Sequence, residues 1–215
     1  FVHTSRFVLI DRAYKVRGDR KSTRSHAIAN YLLAQHQIKA LVVACNTATA
    51  AAIKSLRAAY PGIPLVGIEP ALKPAAAASQ TKTVGVMATR GTLQSEKFQA
   101  LLASLHGQAT FVQQPCDGLA IAIEHNDAIK IEALCAEYTG AMGRFGLNSG
   151  AMDTLVLGCT HYPFVESVLR RSIGEQITLL EGGAPVARQT RRLLDAAGLL
   201  APATADQPLA HTQFL

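Results

Sequence analysis

LVVACNTATA at residues 41–50 and LVLGCTHYPF at residues 155–164 read alike. Each is a hydrophobic run that ends in a small residue, followed by a cysteine, then Asn or Thr, then a stretch able to start a helix. Unbroken apolar runs of this length suit strands buried on both faces. A strand that feeds straight into a helix sets Cys45 or Cys159 at its carboxyl end, where open α/β folds place reactive groups.

Further runs of the same kind flank these two. Strands are expected within 38–45, 64–68, 83–88, 109–113, 154–159 and 177–180. Helices are expected over 24–35, 47–60, 93–105, 127–143, 164–172 and 185–197. In the third of these, Phe98, Leu101, Leu102 and Leu105 give the i, i+3, i+4, i+7 stripe of an amphipathic helix. Alternating strands and helices point to parallel sheets built from βαβ units. The Pro- and Ala-rich stretch EPALKPAAAASQ at 69–80 reads as a boundary. The expected fold class is therefore α/β, with two pseudo-symmetric α/β domains, mainly parallel sheets and an active-site cleft between them. The first domain would take 1–72 plus 182–215 and hold Cys45. The second would take 73–181 and hold Cys159.

Composition narrows the class. Hydrophobic residues make up 49% of the 215 and charged residues 17%, enough to bury a sizeable core and too apolar for a disordered chain. No apolar stretch approaches ~18 uncharged residues, so no membrane span is expected. The opening FVHTSRFVLIDRAYK has no basic-then-apolar signal layout, so a cytoplasmic location is expected. Cys45, Cys116, Cys135 and Cys159 form no CxxC pair and read as reduced thiols. Residues 1–30 carry +5 of the net charge of +6, from Arg6, Arg12, Lys15, Arg17, Arg20, Lys21 and Arg24 against Asp11 and Asp19. That run reads as a solvated face. No stacking aromatics accompany it, so no nucleic-acid partner is expected.

The motifs permit specific chemistry. A thiol just before a helix sits near free backbone N–H groups and the positive end of the helix dipole, and both favour thiolate. Asn46 and Thr47 can cap that helix or hydrogen-bond a ligand. Alone, the segment reads as a buried structural cysteine with its caps; a second matching thiol segment shifts the reading toward function. In the second segment His161 lies two residues beyond Cys159, able to stabilise a thiolate, move a proton or pair with a carboxylate. Cys-x-His supplies two metal ligands without a partner pair, so no metal is expected. Thr89 and Thr92, in the loop after TVGVMA, could cradle a carboxylate or merely cap a helix. Glu124 ends the apolar stretch LAIAI, where it could face a cleft or sit in an exposed turn. Two matching thiols would suit inversion of a carbon centre, in which a proton leaves one face and another arrives on the opposite face.

Taken together, ACNTATA, LGCTHYP, VGVMATRGTLQS, PCDGLAIAIE and PVARQTRRLL resemble the glutamate racemases, within the aspartate/glutamate racemase superfamily. The resemblance runs from about Ala40 to Leu194. It implies cofactor-independent, two-base racemisation of glutamate, with Cys45 acting on the D enantiomer and Cys159 on the L enantiomer. It implies that Asn46, Thr47, Thr89, Thr92 and Thr160 hold the substrate, and that His161 and Glu124 assist the thiols. It further implies a product, D-glutamate, that serves bacterial peptidoglycan synthesis, and it allows a homodimer, since family members are commonly dimers. The family's opening Asp-Ser-Gly motif does not occur in these residues, so the chain is expected to start near the family's second strand. The family's Pro-Tyr-Gly loop falls on Val16-Arg17-Gly18, where Gly18 fits a substrate-binding position and Arg17 offers a different anion contact. A racemase for aspartate or another amino acid, and a non-catalytic homologue that binds a ligand or partner, are the alternative readings.

Overall fold

The computed structural model describes residues 20–200, with side chains from Ser22. In chain order the elements are α1 (Arg20–His36), β1 (Leu41–Val43), α2 (Asn46–Ala59), β2 (Leu65–Gly67), α3 (Leu72–Ala78), β3 (Thr83–Ala88), α4 (Arg90–Leu93), α5 (Glu96–Ala103) and β4 (Thr110–Pro115). They continue with α6 (Leu119–Glu124), α7 (Ala128–Met142), β5 (Thr154–Leu157), a 3-10 turn (Tyr162–Val165), α8 (Glu166–Ile173), β6 (Thr178–Leu180) and α9 (Gly183–Ala196). This is an α/β fold with parallel sheets. Strands β1 and β2 pair in parallel, Leu41 opposite Leu65. A second sheet runs β4-β3-β5-β6, and its three pairings are parallel too.

Side-chain alternation along the strands explains the unbroken apolar runs. On β3, Val84, Val86 and Ala88 pack with Leu72, Phe98 and Val156 on one face of the second sheet. Met87 points the other way, into a core with Leu119, Leu155, Leu157, Tyr162 and Leu169. The first sheet is covered likewise. Leu41 and Val43 pack with α1 and α2 through Leu32, Ile53 and Leu56. Val42 and Val66 meet Val186 and Leu193 of α9 on the opposite face.

The strand order positions the site. The chain steps from β3 outward to β4, then returns across β3 to place β5 on its other side. That reversal opens a crevice at the carboxyl ends of β3 and β5. Thr89 follows one end and Cys159 the other. At Gly158 a Cβ would stand 2.9 Å from Ala88 Cβ and 3.0 Å from the Met87 carbonyl oxygen. The bare glycine lets its N–H donate to that carbonyl at 2.7 Å and draws the two ends together.

Behind the second sheet, Asp153 is 5% exposed and accepts four hydrogen bonds. They come from Ser79 Oγ at 2.6 Å, the Gln80 N–H at 2.6 Å, the Thr81 N–H at 2.9 Å and Thr154 Oγ1 at 3.0 Å. The start of β5 is thereby tied to the turn that opens β3.

The structure adds short helices to the sequence expectation and shortens an expected one. The stretch 69–80, read as a boundary, carries α3; Pro74 is tolerated there because it falls in the first turn, where no intrahelical N–H bond is needed. LAIAI forms α6, too short to show a periodic stripe. The helix expected over 93–105 is the shorter α5, and a separate turn of helix, α4, precedes it. Ser95 ends one by donating to the Thr92 carbonyl at 2.7 Å and starts the other by accepting from the Phe98 N–H at 3.2 Å. Gly18, its loop, and the basic side chains from Arg6 to Lys21 lie outside the described residues and side chains. Among the described residues no helix is long and apolar enough to cross a membrane.

Candidate active site

Cys45 stands directly after β1 as the residue preceding α2, with extended backbone (φ −135°, ψ 121°). Its carbonyl accepts the Thr49 N–H at 2.8 Å, so the helix begins on the cysteine itself. Cys45 thus caps a 14-residue helix through its backbone, and its buried side chain makes no cap hydrogen bond. Asn46 and Thr47 follow, each 6% exposed, and the buried Asn46 Oδ1 has no hydrogen-bond partner among the described residues. A buried carbonyl oxygen without a donor is costly, which fits a side chain that meets a ligand.

Thr47 links this segment to the other sheet. Its Oγ1 lies 3.0 Å from Thr89 Oγ1 and 3.1 Å from Thr92 Oγ1, and the latter two are 2.9 Å apart. Three hydroxyls in a closed triangle can satisfy one another, each donating once and accepting once. A carboxylate arriving there could accept from two or three of them by rotation of their O–H bonds alone.

Cys159 belongs to a second cluster. Its Sγ is 3.7 Å from His161 Nδ1, and His161 Nε2 is 3.1 Å from Glu124 Oε1. The His161 and Glu124 side chains are 9% and 12% exposed. A carboxylate accepts only, so Glu124 draws the ring proton to Nε2 and leaves Nδ1 facing the thiol as an acceptor. The imidazole can then take the thiol proton and stabilise the thiolate as an imidazolium. Glu124 reaches this position from the end of α6, not from an exposed turn.

The other two cysteines are unsuited to this chemistry. Burial pushes the Cys135 thiol up to about 11 and the Cys116 thiol well above the ordinary thiol range, so both stay protonated at neutral pH. All four cysteines are free.

Cys159 and Thr160 also line a cavity of about 590 Å³, walled by Val42, Ile68, Val186 and Arg191. Cys45 does not line it. The structure thus brings together Thr47, Thr89 and Thr92 in one group, and Cys159, His161 and Glu124 in another. The sequence left three features of the surroundings unread. Arg90 holds the Asp117 carboxylate with Nε at 2.9 Å and Nη2 at 2.5 Å. Tyr138 and Tyr162 are buried with their hydroxyls on the same loop. Partners so distant in sequence leave no spacing signal; an Arg-Gly pair after one strand and a Cys-Asp-Gly after the next were the only hints.

A family model described as Asp/Glu/Hydantoin racemase matches residues 10–190. The chain is similar to the glutamate racemase of Pseudomonas syringae pv. tomato, 48% identical over 173 residues, covering 80% of this chain and 61% of that protein. It is similar to the glutamate racemase of Pseudomonas entomophila, 46% identical over 193 residues, covering 89% of this chain and 69% of that one. The chain thus spans less than two thirds of the first relative's length. Among solved structures it is similar to Escherichia coli glutamate racemase in complex with L-glutamate and the activator UDP-MurNAc-ala, with TM-score 0.75, 27% identity, and coverage of 95% of this chain and 77% of that one. A glutamate racemase isoform from Bacillus anthracis gives TM-score 0.72 and 29% identity, over 91% of this chain and 73% of that one.

Proposed function

This chain belongs to the Asp/Glu/Hydantoin racemase family, and on that premise we propose that it interconverts L- and D-glutamate without a cofactor, using Cys45 and Cys159 as the two acid/base groups. The observation that carries the proposal is the Cys159–His161–Glu124 chain at one strand end, with a second thiol in the matching place after β1.

The reaction balances with two thiols. One, as thiolate, takes the α-proton; the other, protonated, delivers a proton to the opposite face of the carbanion. The pair ends each turnover in the reverse protonation state, ready for the opposite enantiomer. An α-proton is a very weak acid and a thiolate a modest base, so the carbanion needs preorganised hydrogen bonds in a site shielded from water. In this reading Thr47, Thr89 and Thr92 hold one carboxylate. Asn46 and Thr160 orient the remaining polar groups, and Gly18 belongs to the loop on the other carboxylate. The two halves, 1–72 with 182–215 and 73–181, would act as domains that enclose the substrate, a reading supported by the two separate sheets. The proposed setting is the cytoplasm of a bacterium, where D-glutamate feeds peptidoglycan synthesis; the proposed assembly is a homodimer.

The test is direct. The purified protein, free of pyridoxal phosphate, is incubated with L-glutamate in D₂O and followed by circular dichroism and proton NMR. Loss of optical activity together with deuterium at the α-carbon is expected. A folded protein that neither racemises nor exchanges glutamate, but does so with aspartate, would move the substrate assignment; inactivity on both would leave a binding role.

Glu124→Gln is a second check. Glutamine can donate to His161 Nε2 and so reverse the imidazole tautomer, turning Nδ1 from an acceptor into a donor toward Cys159. We expect kcat to fall on the order of 10²-fold with KM little changed, because general acid–base help is lost while substrate contacts remain. Steady-state kinetics in both directions would read it, and an unchanged kcat would remove Glu124 from the mechanism.

A further inference from the structure

Two tyrosine hydroxyls from different elements hold consecutive carbonyls of one loop. Tyr138, on α7, donates to the Asp117 carbonyl at 2.6 Å. Tyr162, in the 3-10 turn, donates to the Cys116 carbonyl at 3.4 Å. The loop leaves β4 and enters α6 through Gly118, whose φ of +84° favours glycine. The Cys116 N–H is itself held by the Ala88 carbonyl at 2.9 Å, and the Asp117 carboxylate is held from outside by Arg90. Four segments therefore converge on two residues, Cys116 and Asp117.

What the loop carries explains why this matters. Helix α6 is six residues long and ends on Glu124, the acceptor for His161 Nε2. A helix that short turns as a rigid body with the loop that launches it. Tyr162 is the next residue after His161, so its bond ties one side of the Glu124–His161 contact to the base of the other. Tyr162 is fully buried and Tyr138 is 9% exposed, and buried hydroxyls keep their partners.

We propose that Tyr138 and Tyr162 are positioning residues for the Cys159–His161–Glu124 chain, setting α6 against the loop that bears the thiol. The proposal rests on the racemase reading for its kinetic consequence, though not for its structural one. The two hydroxyls bind the loop carbonyls, and both act through the placement of Glu124. A misplacement of under an ångström in such a chain is enough to slow a proton transfer.

The variants are Tyr138→Phe, Tyr162→Phe and the double change, which keep the buried rings and remove only the ties. Two readouts separate positioning from plain stability: the split between kcat and KM, and the ¹⁵N resonances of the His161 imidazole. In the double variant we expect kcat to drop about tenfold with KM within about twofold, and the His161 resonances to move away from the Nε2–H tautomer. Each single variant should lie between. Arg90→Gln, a surface change at the start of α4 that removes the outer hold on the Asp117 carboxylate, should move both readouts in the same direction by less, and it carries the test should the double variant not fold. A lowered melting temperature with kcat and His161 resonances unchanged would overturn the proposal, as would a rise in KM alone. If the unaltered protein does not racemise glutamate, the racemase reading fails by itself; the imidazole resonances still decide whether the tyrosines place Glu124.

Discussion

Replacing either thiol is expected to stop racemisation: Cys45→Ala and Cys159→Ala should each lower kcat by on the order of 10³-fold or more, a loss of about 4 kcal/mol of transition-state stabilisation. The two changes should not be additive. Inversion needs one group to remove a proton and another to return one on the far face, so loss of either thiol breaks the whole cycle. Glutamate binding should survive, since Thr47, Thr89 and Thr92 hold one another without help from a thiol. Calorimetric titration with glutamate beside circular-dichroism assays would check both halves of the expectation. Sustained turnover in one single variant would rule out the two-thiol mechanism. The same logic requires one thiolate and one thiol at the start of each turnover, so kcat should fall at both low and high pH, with apparent values that belong to the coupled pair. Cys116→Ala and Cys135→Ala serve as controls, because burial keeps those thiols protonated and out of the chemistry.

The largest effect on stability is expected at Asp153. Its carboxylate takes four donors, and Asp153→Ala leaves the Ser79 and Thr154 hydroxyls and the Gln80 and Thr81 N–H groups without their acceptor. We expect a cost of about 3 kcal/mol and a fall in Tm of roughly 6–12 °C. The effect should depend on pH in a definite sense. Burial raises the Asp153 carboxyl, but the hydrogen bonds from Ser79, Thr81, Thr154 and Gln80 outweigh it, and the net position is below the ordinary carboxylate value. A carboxyl held lower in the folded state than in the unfolded chain stabilises at every pH above the unfolded value. That stabilisation is lost as pH falls through the folded value. The gap between the parent protein and Asp153→Ala in urea midpoint should therefore be full near neutral pH and shrink below about pH 4. A gap that stays constant across that range would mean that packing, and not the charge, is what the residue contributes.

Neither the thiols nor Asp153 were equally visible in the sequence, and the difference is instructive. Cys45 and Cys159 announce themselves because each sits at the end of a continuous apolar run, and that run forms a strand buried on both faces. All six expected strand runs overlap a strand, from Leu41–Val43 to Thr178–Leu180. On β1 and β5, buried along their whole length, every residue of the run carries the signal. Asp153 gives no such signal: it is a single carboxylate before TLVL, and its partners at Ser79, Gln80 and Thr81 are more than seventy positions away. Helices α3 and α6 escaped for a different reason. Seven and six residues make barely two turns, too few for a 3.6-residue period to show, and Pro74 disguised the first. The start of α5 turned on one hydroxyl, Ser95, which the apolar stripe beginning at Phe98 does not mark.

The sequence alone determined the α/β class, the places of the strands and the two thiol segments, because these are local: burial period, helix-start chemistry and strand length are written in neighbouring residues. Only the tertiary structure decided that β5 crosses to the far side of β3, that Glu124 comes home to His161, that three threonines at the starts of α2 and α4 close into a triangle, and that two of four cysteines are silenced. These depend on which distant segments meet, and on how much water they exclude when they do. Chain contacts of that range are set by the packing of whole elements, which no short window of residues contains.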